Sequence, residues 1–161
     1  MELSRLAIDT DAPQLERLQA AGSALGSDEI IFHGYQYSYA ECLLSLQDIT
    51  HPTILEIGFG KGDGLRLWRS VFPTAHLICL DIDHQIQGDD FEVIKVDQTD
   101  HEKVQDILRD RSQKFDLIID DGSHHPSHQI SRFNPLFPWL KENALYIIED
   151  IETSYWRRGS L

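Results

Sequence analysis

Five short apolar runs lie between residues 53 and 148, and each stops at a glycine turn or a carboxylate. The runs occupy 53–57, 76–80, 91–96, 115–119 and 145–148. Gly58, Asp81, Asp97, the pair Asp120-Asp121 and the pair Glu149-Asp150 follow them in turn. The intervening segments carry apolar residues at helical spacing: Leu65, Leu67, Trp68 and Val71, closed by Pro73, then Val104, Ile107 and Leu108, then residues 126–137. An apolar run bounded by turn signals reads as a strand buried on both faces. Strands that alternate with helices form a parallel sheet covered on both sides.

The expected fold is therefore α/β: a Rossmann-like three-layer sandwich with a mainly parallel five-stranded sheet in the order 3-2-1-4-5. A short helical preface precedes it. Residues 12–25 place Leu15, Leu18 and Ala21 at helical spacing, 28–40 mix aromatic and polar groups without a clean period, and a helix is expected over 38–48 with Leu43, Leu44 and Leu46 inward. The chain divides into a helical segment, residues 1–50, and one compact cofactor-binding unit, residues 51–161. It has no internal repeat, Ser/Gly-rich linker or low-complexity block.

In open parallel sheets ligands bind beyond the carboxyl ends of the strands. Acids are plentiful here, 27 against 14 lysines and arginines, for a net charge of -13. That charge repels nucleic-acid backbones and anionic lipid surfaces, and it favours cationic ligands and divalent metals. Scattered acids would carry no information at this composition; acids or a glycine turn at the same end of five successive strands do. Cys42 and Cys79 are far apart and give no disulfide framework, in keeping with a reducing, cytoplasmic setting. No stretch is long and apolar enough to span a bilayer, and the first residues lack a signal-peptide pattern.

Gly58-Phe59-Gly60-Lys61-Gly62 joins a strand directly to a helix. Glycine there permits positive φ and close backbone approach. The dinucleotide fingerprint needs another glycine three positions after Gly60. Asp63 stands there instead, and its charge suits a pyrophosphate poorly. With Glu56 two residues ahead, the run Glu-x-Gly-x-Gly-x-Gly resembles the first motif of class I S-adenosylmethionine-dependent methyltransferases, in which the turn cradles the amino-acid end of a cationic sulfonium. Glu56, Gly58 and Gly60 are the candidate binding residues. Asp81 can accept both hydroxyls of a ribose, with Asp83 as its competitor on the same face, and Asp97-Gln98 could read an adenine edge.

The acids after strands four and five form a second cluster. Neighbouring parallel strands bring Asp120-Asp121-Gly122-Ser123-His124 beside Glu149-Asp150. Carboxylates together with other oxygen donors make a hard site for Mg²⁺ or a similar cation. An imidazole three residues beyond one acid could take a proton from a hydroxyl whose pKa the metal has lowered. A zinc pair of His124 and His128 is the rival reading. The glutamate of a His-Glu-x-x-His site is absent, and Pro126 favours a helix that starts after His124.

Leu55-Glu56-Ile57-Gly58, Asp97-Gln98-Thr99-Asp100, Phe115 to His124, and Ile148-Glu149-Asp150 with Thr153, Tyr155 and Trp156 resemble the macrocin/mycinamicin sugar O-methyltransferase family. Gly26-Ser27-Asp28, His33-Gly34-Tyr35 and Tyr39 resemble an upstream segment of the same family, with Ser27 in place of threonine. The resemblance implies that Asp121, Glu149 and Asp150 hold Mg²⁺ and that His124 is the general base. Asp120 would face the methionine end of S-adenosylmethionine, with Asp81 on its ribose. The implied reaction is methyl transfer to a hydroxyl of a sugar or glycosylated small molecule. Class I methyltransferases normally add two further strands, whereas residues 151–161 make no strand-helix-strand unit. Strand five is therefore expected to be an edge, open to a second copy of the chain. The alternative function is a shortened, non-catalytic binding module of the same fold.

Overall fold

Alternate residues of each apolar run enter two different cores, and this makes them strands of a covered sheet. Ile54, Leu77, Cys79, Leu117 and Ile119 lie in one core; Leu55, Ile57, Ile78, Leu80 and Ile118 lie in the other. The computed structural model describes residues 12–151. The family-like positions Thr153, Tyr155 and Trp156, and the first residues of the helical segment, lie outside that range.

The helices are α1 (Gln14–Leu25), α2 (Asp28–Ile31), α3 (Gln36–Cys42), α4 (Asp63–Val71), α5 (His101–Arg111) and α6 (Pro126–Leu136). The strands are β1 (Thr53–Ile57), β2 (His76–Asp81), β3 (Ile86–Gln87), β4 (Phe91–Lys95), β5 (Phe115–Asp120) and β6 (Leu140–Ile148). Leu18, Ala21, Tyr39, Leu65, Leu67 and Trp68 bring α1, α3 and α4 onto one face of the sheet. Val104, Leu108 and Leu136 bring α5 and α6 onto the other. Each helix starts where its sequence allows. Asp100 caps α5 by accepting from Lys103 N at 3.2 Å, and Pro126 opens α6, where its missing N–H costs nothing.

The sheet order is β3-β4-β2-β1-β5-β6. The expected order is present within it, but the sheet has six strands rather than five. The extra strand is β3, antiparallel to β4 through Ile86↔Val93 and Gln87↔Glu92. Two residues are too few to show a period, and the hairpin is closed locally by Gly88 N donating to Phe91 O at 2.9 Å. β6 also begins earlier than the expected 145–148. Its pairing with β5 slips between Phe115↔Leu140 and Leu117↔Leu145, and the intervening polar residues, with Asn143 at φ 61°, hide the start of the strand. The helix expected over 38–48 is α3 followed by a 3₁₀ turn, Leu43–Leu46, and Leu44 faces solvent.

The chain runs outward from β1 toward β4 and then restarts on the other side with β5. The switch point therefore lies between β1 and β5, beyond whose carboxyl ends a crevice opens. Cys42 and Cys79 are both free thiols. Among the described residues no helix is long and apolar enough to cross a membrane.

Candidate active site

Glycine lets the two central strand ends meet. Gly58 sits at φ 100°, and a Cβ there would lie 2.3 Å from the Asp121 carbonyl oxygen, closer than any side chain permits. Its N–H continues the ladder to Leu80 O at 2.9 Å. Gly62, at φ 81°, caps α4, and Asp63 and Gly64 at that helix start line the crevice. Buried Glu56 lies against this start: a Cβ on Gly64 would be 2.0 Å from Glu56 Oε1.

Asp81 is tied into the turn rather than waiting at the strand end. Its Oδ2 accepts from Phe59 N at 2.9 Å, and its Oδ1 accepts from Asp83 N at 2.9 Å and His84 N at 2.8 Å. His84 Nδ1 lies 2.7 Å from the same Oδ1, and its ring is tilted against Phe59. Burial raises the Asp81 carboxyl, but these hydrogen bonds outweigh it and hold the group below its ordinary value. Asp83 contributes its backbone N–H to Asp81. The Asp97 carboxyl is held low by the Thr99 hydroxyl at 2.7 Å and the Thr99 N–H at 2.9 Å.

Asp120 and Asp121 are adjacent in sequence and have opposite fates. Asp120, the last residue of β5, is fully buried and meets Arg132 of α6 through Nε and Nη2. The same guanidinium donates from Nη1 to Gln98 Oε1 at 2.8 Å. Asp120 therefore does not line the crevice, whereas Asp121 does. Burial, with Asp120 next, also pushes the Tyr146 phenol well above its ordinary range.

Asp121, His124 and Asp150 form the one three-residue group of potential metal ligands among the described residues, their ligand atoms all within 4.8 Å of one another. His124 Nε2 is 3.8 Å from Asp121 Oδ1 and 3.6 Å from Asp150 Oδ2. Two hard carboxylates with an imidazole beside them fit a divalent cation. His124 and Asp150 also carry left-handed backbone, at φ 49° and 52°, a strain that concentrates where function holds it. Glu149 is buried beside this group and outside it. Its carboxylate accepts from the Tyr39 hydroxyl, and its carbonyl accepts from Gln129 at 2.8 Å. His128 does not join His124; its Nδ1 lies 2.8 Å from Ser123 Oγ.

A cavity of about 770 Å³ joins these pieces. Of the residues selected from the sequence, Glu56, Gly58, Gly60, Asp81, Asp97, Gln98, Asp121 and His124 line it; Asp120, Glu149 and Asp150 do not. A volume of this size and a glycine-built wall suit a nucleoside-sized ligand. Sequence reasoning missed Arg132 and His84, whose roles rest on partners folded against them. It also gave no role to Tyr35 and Tyr39, although their four-residue spacing is that of one helix face.

The sheet order, and the gathering of these groups at its switch point, put the chain in the class I methyltransferase fold class. No family model matches it. It is 34% identical to the 8-demethyl-8-alpha-L-rhamnosyl tetracenomycin-C 2'-O-methyltransferase of Streptomyces olivaceus, over 89% of this chain and 43% of that protein. It is 40% identical to the mycinamicin VI 2''-O-methyltransferase of Micromonospora griseorubida, over 64% of this chain and 28% of that protein. The solved structure of the MycE methyltransferase in complex with Mg and SAH superposes with a TM-score of 0.79 at 32% identity, covering 87% of this chain and 41% of that one. The chain is thus a relative of the macrocin/mycinamicin-type sugar O-methyltransferases, and it spans less than half the length of these relatives.

Proposed function

We propose that this chain carries out methyl transfer from S-adenosylmethionine to a hydroxyl of a sugar or glycosylated small molecule, assisted by Mg²⁺ or a similar cation. The observation that carries the reading is the meeting of Asp121, His124 and Asp150 within 4.8 Å, where Asp121 and His124 also line the glycine-walled cavity. When bound, the cofactor supplies an activated methyl group and the cation makes the acceptor hydroxyl more acidic.

The residues divide the remaining work. The turn from Gly58 to Gly62 lets backbone approach the amino-acid end of the cofactor. Asp81 Oδ1 is taken up by Asp83 and His84, while Oδ2, which accepts from Phe59 N, keeps a lone pair for a ribose hydroxyl. Asp97 and Gln98 read the adenine edge. Asp121 and Asp150, with Glu149 behind them, hold the cation, and His124 Nε2 receives the acceptor proton. Positioning supplies much of the rate, because the donor is already activated. The described residues before 51 form a helical segment that reaches into the site through Tyr35 and Tyr39, and the cofactor-binding unit starts at residue 51. The outer edge of β6 is the contact for a second copy, which sedimentation velocity tests.

Isothermal calorimetry with S-adenosylmethionine, followed by transfer of labelled methyl to a panel of rhamnosides, tests the reading. Binding with metal-dependent transfer is expected. Absence of cofactor binding contradicts it.

A further inference from the structure

Two phenols one helical turn apart reach the two acids at the end of β6. Tyr35, at the start of α3, donates from its hydroxyl to Asp150 Oδ1 at 2.7 Å. Tyr39 donates to Glu149 Oε1. Both rings are held in turn. His33 stacks on Tyr35 with centroids 5.1 Å apart and places its Nδ1 3.6 Å from Asp150 Oδ1. Tyr39 is buried edge-on against Trp68 at 5.2 Å.

Three other acids around the sheet meet cations. Asp120 meets Arg132, Glu92 meets Arg111 and Asp116 meets Lys141, so each of those charges is neutralised by a cation. A phenol fixes one carboxylate oxygen without cancelling its charge. With Oδ1 engaged by Tyr35, Asp150 turns Oδ2 toward His124 Nε2, and with it toward Asp121.

We propose that Tyr35 and Tyr39 are positioning residues of the cation site: they orient Asp150 and Glu149 from α3. The inference rests on the cation-binding reading above. It assigns α3 a part in that site in addition to its packing role. Outer partners that orient ligand carboxylates commonly contribute 10–100-fold to metal affinity.

The test is a Mn²⁺ titration followed by electron paramagnetic resonance of the free ion, on the intact chain and on Tyr35→Phe, Tyr39→Phe and Tyr37→Phe. Tyr37 lies on the same helix, exposed to solvent, and serves as the control. Calorimetry with S-adenosylhomocysteine and a thermal melt accompany each titration. The expected result is Mn²⁺ binding weakened about tenfold by Tyr35→Phe and by Tyr39→Phe, and unchanged in Tyr37→Phe. Nucleoside affinity and melting temperature stay close to those of the parent. Unchanged Mn²⁺ affinity in Tyr35→Phe overturns the proposal, and an effect confined to Tyr35→Phe removes Tyr39 from it. Parallel loss of Mn²⁺ affinity, nucleoside affinity and melting temperature assigns the phenols a merely structural role and overturns it too. If the parent chain itself binds no Mn²⁺, the cation reading of the site fails first, a result distinct from all of these.

Discussion

Arg132 on α6 grips Asp120 at the end of β5 where the two side chains are 1% and 0% exposed. Nε meets Oδ2, Nη2 meets Oδ1, and the remaining Nη1 holds Gln98 at the neighbouring rim position. One buried pair thus locks the second core to the carboxyl ends of β5 and β4. Removing one partner leaves an uncompensated buried charge. Arg132→Met is expected to destabilise the fold by about 3–5 kcal/mol in urea unfolding. The double variant Arg132→Met/Asp120→Leu recovers much of that loss. Equal stability of Arg132→Met and the parent would show the pair to be irrelevant.

Asp81 couples the turn to pH. Its folded carboxyl lies below the ordinary value of 3.8, since its hydrogen bonds outweigh burial. A depressed carboxyl stabilises the fold above its unfolded pKa, and that contribution fades as pH falls through the lower folded value. As pH falls below about 4 the parent chain should therefore lose stability more steeply than Asp81→Asn. Matching slopes in acid unfolding would refute this. The same variant should bind S-adenosylmethionine roughly 10–100-fold more weakly, with Mn²⁺ affinity unchanged.

Gly58 and Gly60 both have positive φ, yet only Gly58 faces a neighbour. A Cβ at Gly58 strikes the Asp121 carbonyl, while at Gly60 nothing lies within 4 Å. Gly60→Ala should cost about 1–2 kcal/mol from backbone conformation alone. Gly58→Ala should cost more and should displace Asp121, weakening cofactor and cation together. Equal costs in thermal unfolding would contradict the close approach as the reason for this glycine.

His124→Gln removes the proposed proton acceptor while the walls of the cavity stay in place. Methyl transfer should fall by about 10²–10⁴-fold with cofactor affinity preserved. Retained turnover in a labelled-methyl assay removes His124 from the mechanism.

The sheet, its order and its ligand-bearing rim were legible because the central strands β1, β2 and β5 are buried on both faces and must be apolar. β3 was not, since two residues held by a hairpin carry no period. The start of β6 was hidden by its bulge at Asn143. Within the site, Asp121 and Asp150 follow the ends of neighbouring strands and His124 lies three residues beyond Asp121, and the family resemblance gave them their roles. Asp120 and Asp121 could not be sorted by that rule. Side chains alternate along a strand, and the end of β5 turns Asp120 inward to a partner twelve residues away. The phenols of α3 escaped for a related reason: their acids lie 115 and 110 residues further along the chain.

The most direct measurement is anomalous diffraction from crystals grown with Mn²⁺ and S-adenosylhomocysteine. The account predicts one strong Mn²⁺ peak about 2.1 Å from carboxylate oxygens of Asp121 and Asp150, with the nucleoside lying between the Gly58 turn and Asp81. A peak elsewhere, or a nucleoside bound away from that turn, would contradict it.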